Sequence, residues 1–357
     1  MEHRNDAAVP LVGETVAQGE YLDSPRQMAV VGDRLVLLDR SAPMIHVFRL
    51  PGGERVGSLG REGEGPGEFR STGAVQADPA RPETFWVFDG SLDRMTRLRF
   101  SHHDSLPGVD EVVNLQGGSG MHFQPVWIDD GTLAATGIYL RHPGVRLLVT
   151  DRGGRPVRTI GTLPEHPGGS AMPTSVLQHA YEARLAVHPD RALIAVATRH
   201  ADRLEIYRTD GTLVRQVTGG DGFIPAFEVN QRAEGASMAT GDDLRVGYLD
   251  LASTRTHVYA LFSGRTRAQA RGRTYFGKEV HVFDWTGERA GTLALDERAF
   301  AIAIDTSGTG YLYAVRHDPE PNVARYPLPG WLRARERSGR DAGARAVPDP
   351  GKRRIQG

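Results

Sequence analysis

Short apolar runs recur along this chain in sets of four, each closed by Gly, Asp or Pro, and this recurrence limits the fold more than any other feature. The first set covers residues 27–31, 34–39, 44–50 and 55–59, with turns at Val31-Gly32-Asp33 and Pro51-Gly52-Gly53-Glu54. A second covers 74–77, 84–89 (TFWVFD), 94–100 and 111–115. A third covers 126–128, 132–137, 146–150 and 156–160, and a fourth 184–187, 193–198, 203–208 and 213–217. The fifth, 244–249, 257–262, 279–284 and 289–293, carries an insertion at 263–278 between its middle strands. Each set reads as a four-stranded antiparallel meander.

The sixth set has only three strands, at 301–305, 311–315 and 322–326. The missing strand is available at the other end of the chain, where 12–18 (VGETVAQ) precedes the first set without a partner. Pairing 12–18 beside 322–326 closes a ring and removes two exposed sheet edges, which otherwise invite aggregation. The expected fold is therefore all-β, a six-bladed β-propeller of four-stranded antiparallel blades closed by an N-terminal strand. Equivalent second strands recur roughly every 50–60 residues, longer than the roughly 40–45 of a WD-type blade, and no WD dipeptide marks the blade ends. The alternatives are a seven-bladed ring with a degenerate blade in 219–240, or a pair of β-sandwiches. By domain, 1–10 is expected to be flexible, 11–330 to form the propeller, and 331–357, rich in Arg, Gly, Ala and Pro, to be a disordered Arg-rich tail.

A net charge of −1 withholds the broad positive field that phosphate contacts need, so nucleic acid is not an expected partner. No apolar run approaches the roughly 18 residues of a transmembrane helix, and a monomer is expected. The absence of cysteine excludes disulfides, thiolate metal sites and thiol nucleophiles. The first ten residues, MEHRNDAAVP, lack the apolar core of a secretory signal.

Residues 60–69 read GREGEGPGEF, after IHVF at 45–48, and lie between the last strand of one set and the first of the next. This run resembles the Gly-rich GPGEF-type crossing of bacterial six-bladed propellers of the NHL-like and TolB-like kind. A second resemblance lies at 279–295 (EVHVFDWTGERAGTLAL), followed by Tyr311-Leu312-Tyr313-Ala314. The resemblance implies the propeller fold and a periplasmic or cell-surface setting, and it implies little about activity. In the crossing, Gly63, Gly65 and Gly67 permit positive φ around Pro66. Arg61, Glu62, Glu64 and Glu68 would either ring the channel mouth and contact a polar ligand or cation, or merely brace the crossing.

The glycine spacing of that run fails as a dinucleotide fingerprint, because a strand and not a helix follows it. Walker, H-E-x-x-H, G-x-S-x-G and EF-hand patterns are absent. Among the thirteen histidines, His122 and His179 precede inner strands and are the candidate ligands for a divalent metal in the channel; the alternative is that each is a hydrogen-bonded surface group. No cofactor is expected. The insertion at 263–278 gathers Arg265, Arg267, Arg271 and Arg273 into one segment, a candidate docking surface for an acidic partner or a solvated hairpin. Trp86, Trp127, Phe283 and Trp285 are expected to pack between blades.

The sequence thus points to a non-enzymatic binding or scaffold propeller that recognises a protein, peptide or polysaccharide through one face. The alternative is a metal-dependent lyase or lactone hydrolase of the NHL-like type, with its site in the central channel. An Arg-lined or apolar channel favours binding, and three converging metal donors favour the enzyme.

Overall fold

A computed structural model of the chain describes residues 7–346 apart from 103–104, 169–171, 233–234 and 306–309. Four separate four-stranded sheets make up blades one to four, each ordered from the channel outward in simple meander sequence. Blade one is Pro25–Val31, Arg34–Asp39, Ile45–Arg49 and Glu54–Leu59. Blade two is Thr72–Ala77, Thr84–Asp89, Arg94–Arg99 and Gly108–Asn114. Blade three is Val126–Trp127, Thr132–Ala135, Val145–Asp151 and Pro156–Thr162, and blade four Ala183–Val187, Leu193–Thr198, Arg203–Arg208 and Leu213–Thr218.

Blades five and six share one eight-stranded sheet because a single sixteen-residue strand, Arg289–Ile304, serves both. Its first part pairs with Gly277–Asp284 as the outer strand of blade five, and its last part pairs with Tyr311–Arg316 as the inner strand of blade six. Tyr248–Ser253 and His257–Phe262 complete blade five, and Asn322–Pro327 continues blade six. The inner strand of blade five thus begins four residues beyond the expected start at 244.

Glu14–Gln18 pairs antiparallel with Asn322–Pro327, so the ring closes as the sequence predicts. The closure is doubled, because Val9–Leu11 also pairs, in parallel, with Leu293–Leu295 on the edge of blade five. Residues 9 and 10, expected to be flexible, belong to this strap. Asp296 fixes the bend between the two pairings by accepting from Gly13 N at 3.0 Å and from the Tyr326 hydroxyl at 2.9 Å. A side chain at Gly13 would collide with the Tyr326 ring, its Cβ only 2.5 Å from that ring's nearest atom.

Burial follows the radial order of the strands. Second strands, flanked by a blade on each side, are buried at every position in Arg34–Asp39, Thr84–Asp89 and His257–Phe262, which explains continuous apolar runs where a one-sided sheet would alternate. Outer strands such as Glu54–Leu59 and Leu213–Thr218 face solvent along their length. Trp86 of blade two packs at a tilt against Trp127 of blade three, 4.8 Å between ring centres, as large residues filling an inter-blade gap should. Between blades three and four, buried Arg146 donates to Glu205 Oε2 at 2.7 Å, to the Tyr181 carbonyl and to Thr198 Oγ1, so its charge is paired and hydrogen-bonded.

Among the described residues, the segment proposed to hide a seventh blade forms a two-stranded hairpin, Glu228–Arg232 with Gly235–Ala239, between blades four and five. Gly330–Ala346 forms a helix where the sequence suggested a disordered tail from 331. Ala, Arg and Glu supply helix propensity, and the first turns have anchors: Leu332 is buried, and Glu336 Oε1 accepts from Thr254, His257 and Tyr259 at 2.9 Å each. The last stretch of that tail, 347–357, and residues 1–6 lie outside the described residues.

Removing residues 1–18 should expose the edge of Asn322–Pro327 and strip the strap from blade five. We expect the melting temperature to fall by about 5 °C or more and aggregation to rise. An unchanged melt of a monodisperse truncated protein would contradict this closure.

Candidate functional site

Every inner strand enters the channel from the same face, where the outer strand of one blade crosses to the next. That face also carries the turns between second and third strands. Most of the long connections lie there: the 60–71 crossing, the 163–182 crossing with its helix Thr174–Ala180, the 219–247 crossing with its hairpin, and the 263–276 insertion with its helix Arg267–Ala270; the 100–107 connection and the helix Gly330–Ala346 lie at the other end. Several turns on the opposite face span only two to four residues, such as 32–33 and 209–212. We call the two the loop face and the turn face.

Each inner strand pairs on one side only, so its other edge presents main-chain groups to the channel. Side chains from neighbouring blades meet them. Gln27 of blade one accepts from Val75 N at 3.3 Å, and Gln76 of blade two accepts from Trp127 N at 2.8 Å while donating to the Trp127 carbonyl at 3.0 Å. Arg184 of blade four reaches back to Gln124 at 3.5 Å and forward to the Leu249 carbonyl at 2.8 Å. Asp250 of blade five accepts from Ile302 N at 3.0 Å and, more weakly, from the Gln27 side chain at 3.4 Å. His317 of blade six donates through Nε2 to the Pro25 carbonyl of blade one at 3.2 Å, completing the circuit.

On the turn-face side of this belt lies a cavity of about 460 Å³, walled largely by apolar groups including Met28, Val30, Val75, Val126, Leu185 and Leu251. Polar residues on its lining include the belt groups Gln27 and Asp250 and, at the turn face, Glu336. The Asp250 carboxyl is pushed up to about 6 by burial, which outweighs the pull of Arg184 and the amides of Ile302 and Leu251. Arg184 is lowered by the same burial and by neighbouring Arg199, against the pull of Glu182 and Asp250.

On the loop-face side, arginines dominate. Arg26, Arg184 and Arg199 are half-buried and Arg40 is exposed. Arg26 is held below its ordinary value by burial and by Arg40 and Arg199, with Asp39 opposing. Glu182 is buried beside Arg199, whose Nη1 donates to it at 3.0 Å. Burial alone would raise Glu182, but Arg199 and Arg184, with His200 and His179, hold it low. His200 is driven down to about 4 by burial and by Arg199, so it is neutral at neutral pH. Aromatic rings frame these groups, with Arg26 5.4 Å from the centre of Phe300 and Arg199 4.3 Å from that of Tyr275.

The residues singled out from sequence are not brought together. His122 sits in a short bridge, Met121–His122, buried, with Nδ1 2.9 Å from Asp93 Oδ1 and Nε2 3.2 Å from Ser119 Oγ. The connectivity is that of a nucleophile triad, but Ser119 and His122 are each only 5 % exposed, which denies a substrate carbonyl an approach and makes the group a brace for the crossing. His179 is exposed, at the end of the helix Thr174–Ala180, with its ring 5.6 Å from that of Phe123. Among the described residues no three His, Asp or Glu side chains are grouped to hold a metal ion.

In the Gly-rich crossing, Glu68 accepts from Arg61 Nε at 2.6 Å and from Gly65 N at 2.8 Å, and Glu64 pairs with Arg70 at 2.5 Å. Arg94 of blade two donates to the Glu64 and Glu68 carbonyls, so these residues tie the crossing to itself and to the next blade. Glu62 is exposed. The insertion arginines diverge: Arg267 donates to Thr240, Arg273 pairs with Asp318 at 2.6 Å, Arg265 donates to the Gln269 carbonyl, and Arg271 is the left-handed C-cap of the short helix. The insertion is a capped helical turn, not a hairpin. Sequence reasoning missed Arg26, Arg40, Arg184 and Arg199, whose shared signal is position: one residue into an inner strand, or directly after a second strand.

A family model described as TolB-like 6-blade propeller-like matches residues 10–307. Two solved structures share the fold: a protein described as exported, from Bacteroides fragilis, at 12% identity and TM-score 0.53, covering 91% of this chain and 96% of its own, and a member of the DUF4221 family from Bacteroides vulgatus, at 12% identity and TM-score 0.58, covering 90% and 96%. Comparison with curated proteins finds no match. No helix among the described residues is long and apolar enough to cross a membrane.

Because the folded Asp250 carboxyl titrates above its ordinary 3.8, its contribution to stability is full below about pH 4 and is lost as pH rises through about 6. D250N should flatten that part of the curve, by up to about 1.4 kcal/mol of unfolding free energy per pH unit at the steepest. Urea unfolding of both proteins between pH 4 and 7 measures it, and parallel curves would contradict the assignment.

Proposed function

The chain belongs to the TolB-like 6-blade propeller-like family, and from that premise we propose that it is a non-enzymatic binding propeller that recognises a protein, peptide or polysaccharide partner through its loop face. The observation that carries this reading is the asymmetry of the ring. Long crossings, the 228–239 hairpin and the channel-mouth arginines gather at one end, while the other carries mostly short turns beside the 100–107 connection and the helix Gly330–Ala346. Loops on a rigid scaffold are where recognition is usually built.

The channel chemistry supports the same reading. Belt side chains are engaged with main-chain groups of adjacent blades, so they act as ties and not as free acids, bases or ligands. A metal-dependent lyase or lactone hydrolase would need at least three converging donors. His122 offers neither nitrogen, since Asp93 and Ser119 engage both, and His179 is exposed on the helix Thr174–Ala180.

Two assays on the intact chain test this reading. Chromogenic lactone and ester substrates, supplied with calcium, magnesium or zinc, should show no turnover above buffer, and chelator-sensitive turnover would overturn it. Peptide and glycan arrays should return a ligand whose addition slows amide hydrogen exchange in the loop-face crossings and not in the turns opposite.

A further inference from the structure

Blades one and four stand opposite each other in a six-membered ring, and their loop-face ends carry the same pair of arginines. In blade one, Arg26 is the second residue of the inner strand Pro25–Val31, and Arg40 directly follows the second strand Arg34–Asp39. In blade four, Arg184 is the second residue of the inner strand Ala183–Val187, and Arg199 directly follows the second strand Leu193–Thr198. Inner strands descend from the loop face and second strands return to it, so both pairs meet at the loop-side mouth of the channel. Burial, Arg40 and Arg199 of the opposite blade together hold Arg26 below its ordinary value.

The acidic groups nearby have other duties. Asp39 accepts from the amides of Asp23, Ser24 and Ser41 at 2.9–3.2 Å, and Asp250 accepts from Ile302 N and Gln27. Glu182 touches Arg199, and Arg184 is held by Gln124 and the Leu249 carbonyl. That leaves Arg26, whose one close partner among the described residues is the Phe300 ring, and the Nη2 of Arg199, which has no acceptor among those residues while its Nη1 holds Glu182 and its Nε is buried. A guanidinium lying over an aromatic ring keeps its N–H edges available, in the fork that matches a carboxylate.

We propose that this mouth binds an acidic peptide segment whose carboxylates bridge Arg26 of blade one and Arg199 of blade four. Around the two arginines the rim is formed by Tyr275, Phe276, Phe300 and His317, linked by ring contacts at 5.3–6.0 Å among the last three. Such walls suit the aliphatic stems of glutamate side chains. A sugar acid would need acceptors for its hydroxyls, and Glu182 is already engaged. This inference rests on the binding reading above and names its ligand chemistry.

The test is fluorescence anisotropy of the full chain with a fluorescein-labelled oligoglutamate peptide, its glutamine counterpart, and a labelled oligogalacturonate, with glutarate as competitor. The glutamate peptide should bind, lose affinity at high salt, and lose about tenfold or more with R26A or R199A, while R208A on the turn face changes nothing. R26K and R199K keep the charge without the fork and should fall between; they also serve if an alanine variant does not fold, as thermal melts will tell. No binding of the glutamate peptide, or equal binding by both arginine variants, overturns the site. Tighter binding of oligogalacturonate, or glutarate competing mole for mole, overturns the peptide assignment. A loop-face array ligand that the R26A/R199A protein still retains would leave the binding reading standing without this site; no ligand for either protein would remove both.

Discussion

The ring depends on satisfying six strand edges that no strand can pair. An inner strand bonds to its second strand on one side and faces the channel on the other, and a buried main-chain N–H left alone costs about 1–3 kcal/mol. Gln27, Gln76 and Asp250 each reach across to an amide of another blade, and Arg184 reaches a carbonyl. The same contacts that settle the edges therefore fix the angle between blades. Glutamine suits this duty because it can accept and donate at once, as Gln76 does with both main-chain groups of Trp127.

This arrangement divides the channel. Turnward of the belt is an apolar cavity of about 460 Å³, and loopward are the arginines of two opposed blades. Burial raises Asp250 and lowers Arg184, so neither charge is comfortable, and the belt is a place where rigidity is obtained against an electrostatic cost. A rigid ring with a charged mouth and long loops at the same end is preorganised for recognition, since little ordering remains to be done on binding.

Much of the fold was legible because second strands are buried on both faces and read as unbroken apolar runs, as in RLVLLD and TFWVFD. The closing strand was legible because a lone strand and a three-stranded set complement each other. The inner strand of blade five was displaced because YLDLAS carries Asp250 at its centre, a belt residue that breaks the apolar pattern. The helix from Gly330 was obscured by low apolar content, since three anchors, Trp331, Leu332 and Glu336, suffice. His122 and His179 looked equivalent because both precede inner strands, yet one lies in a bridge and the other on a helix. The arginine mouth was hidden because its members are 14 to 15 residues apart in each blade and gather only once the ring closes.

Native-state hydrogen exchange at the amides of Val75, Trp127 and Ile302 bears most directly on the belt. If side chains from other blades hold these edges, the three amides should exchange only with global unfolding, at rates matching those of the buried second strands, and Q76A should release Trp127 selectively. Exchange as fast as in the exposed crossings, or no response of Trp127 to Q76A, would contradict the account.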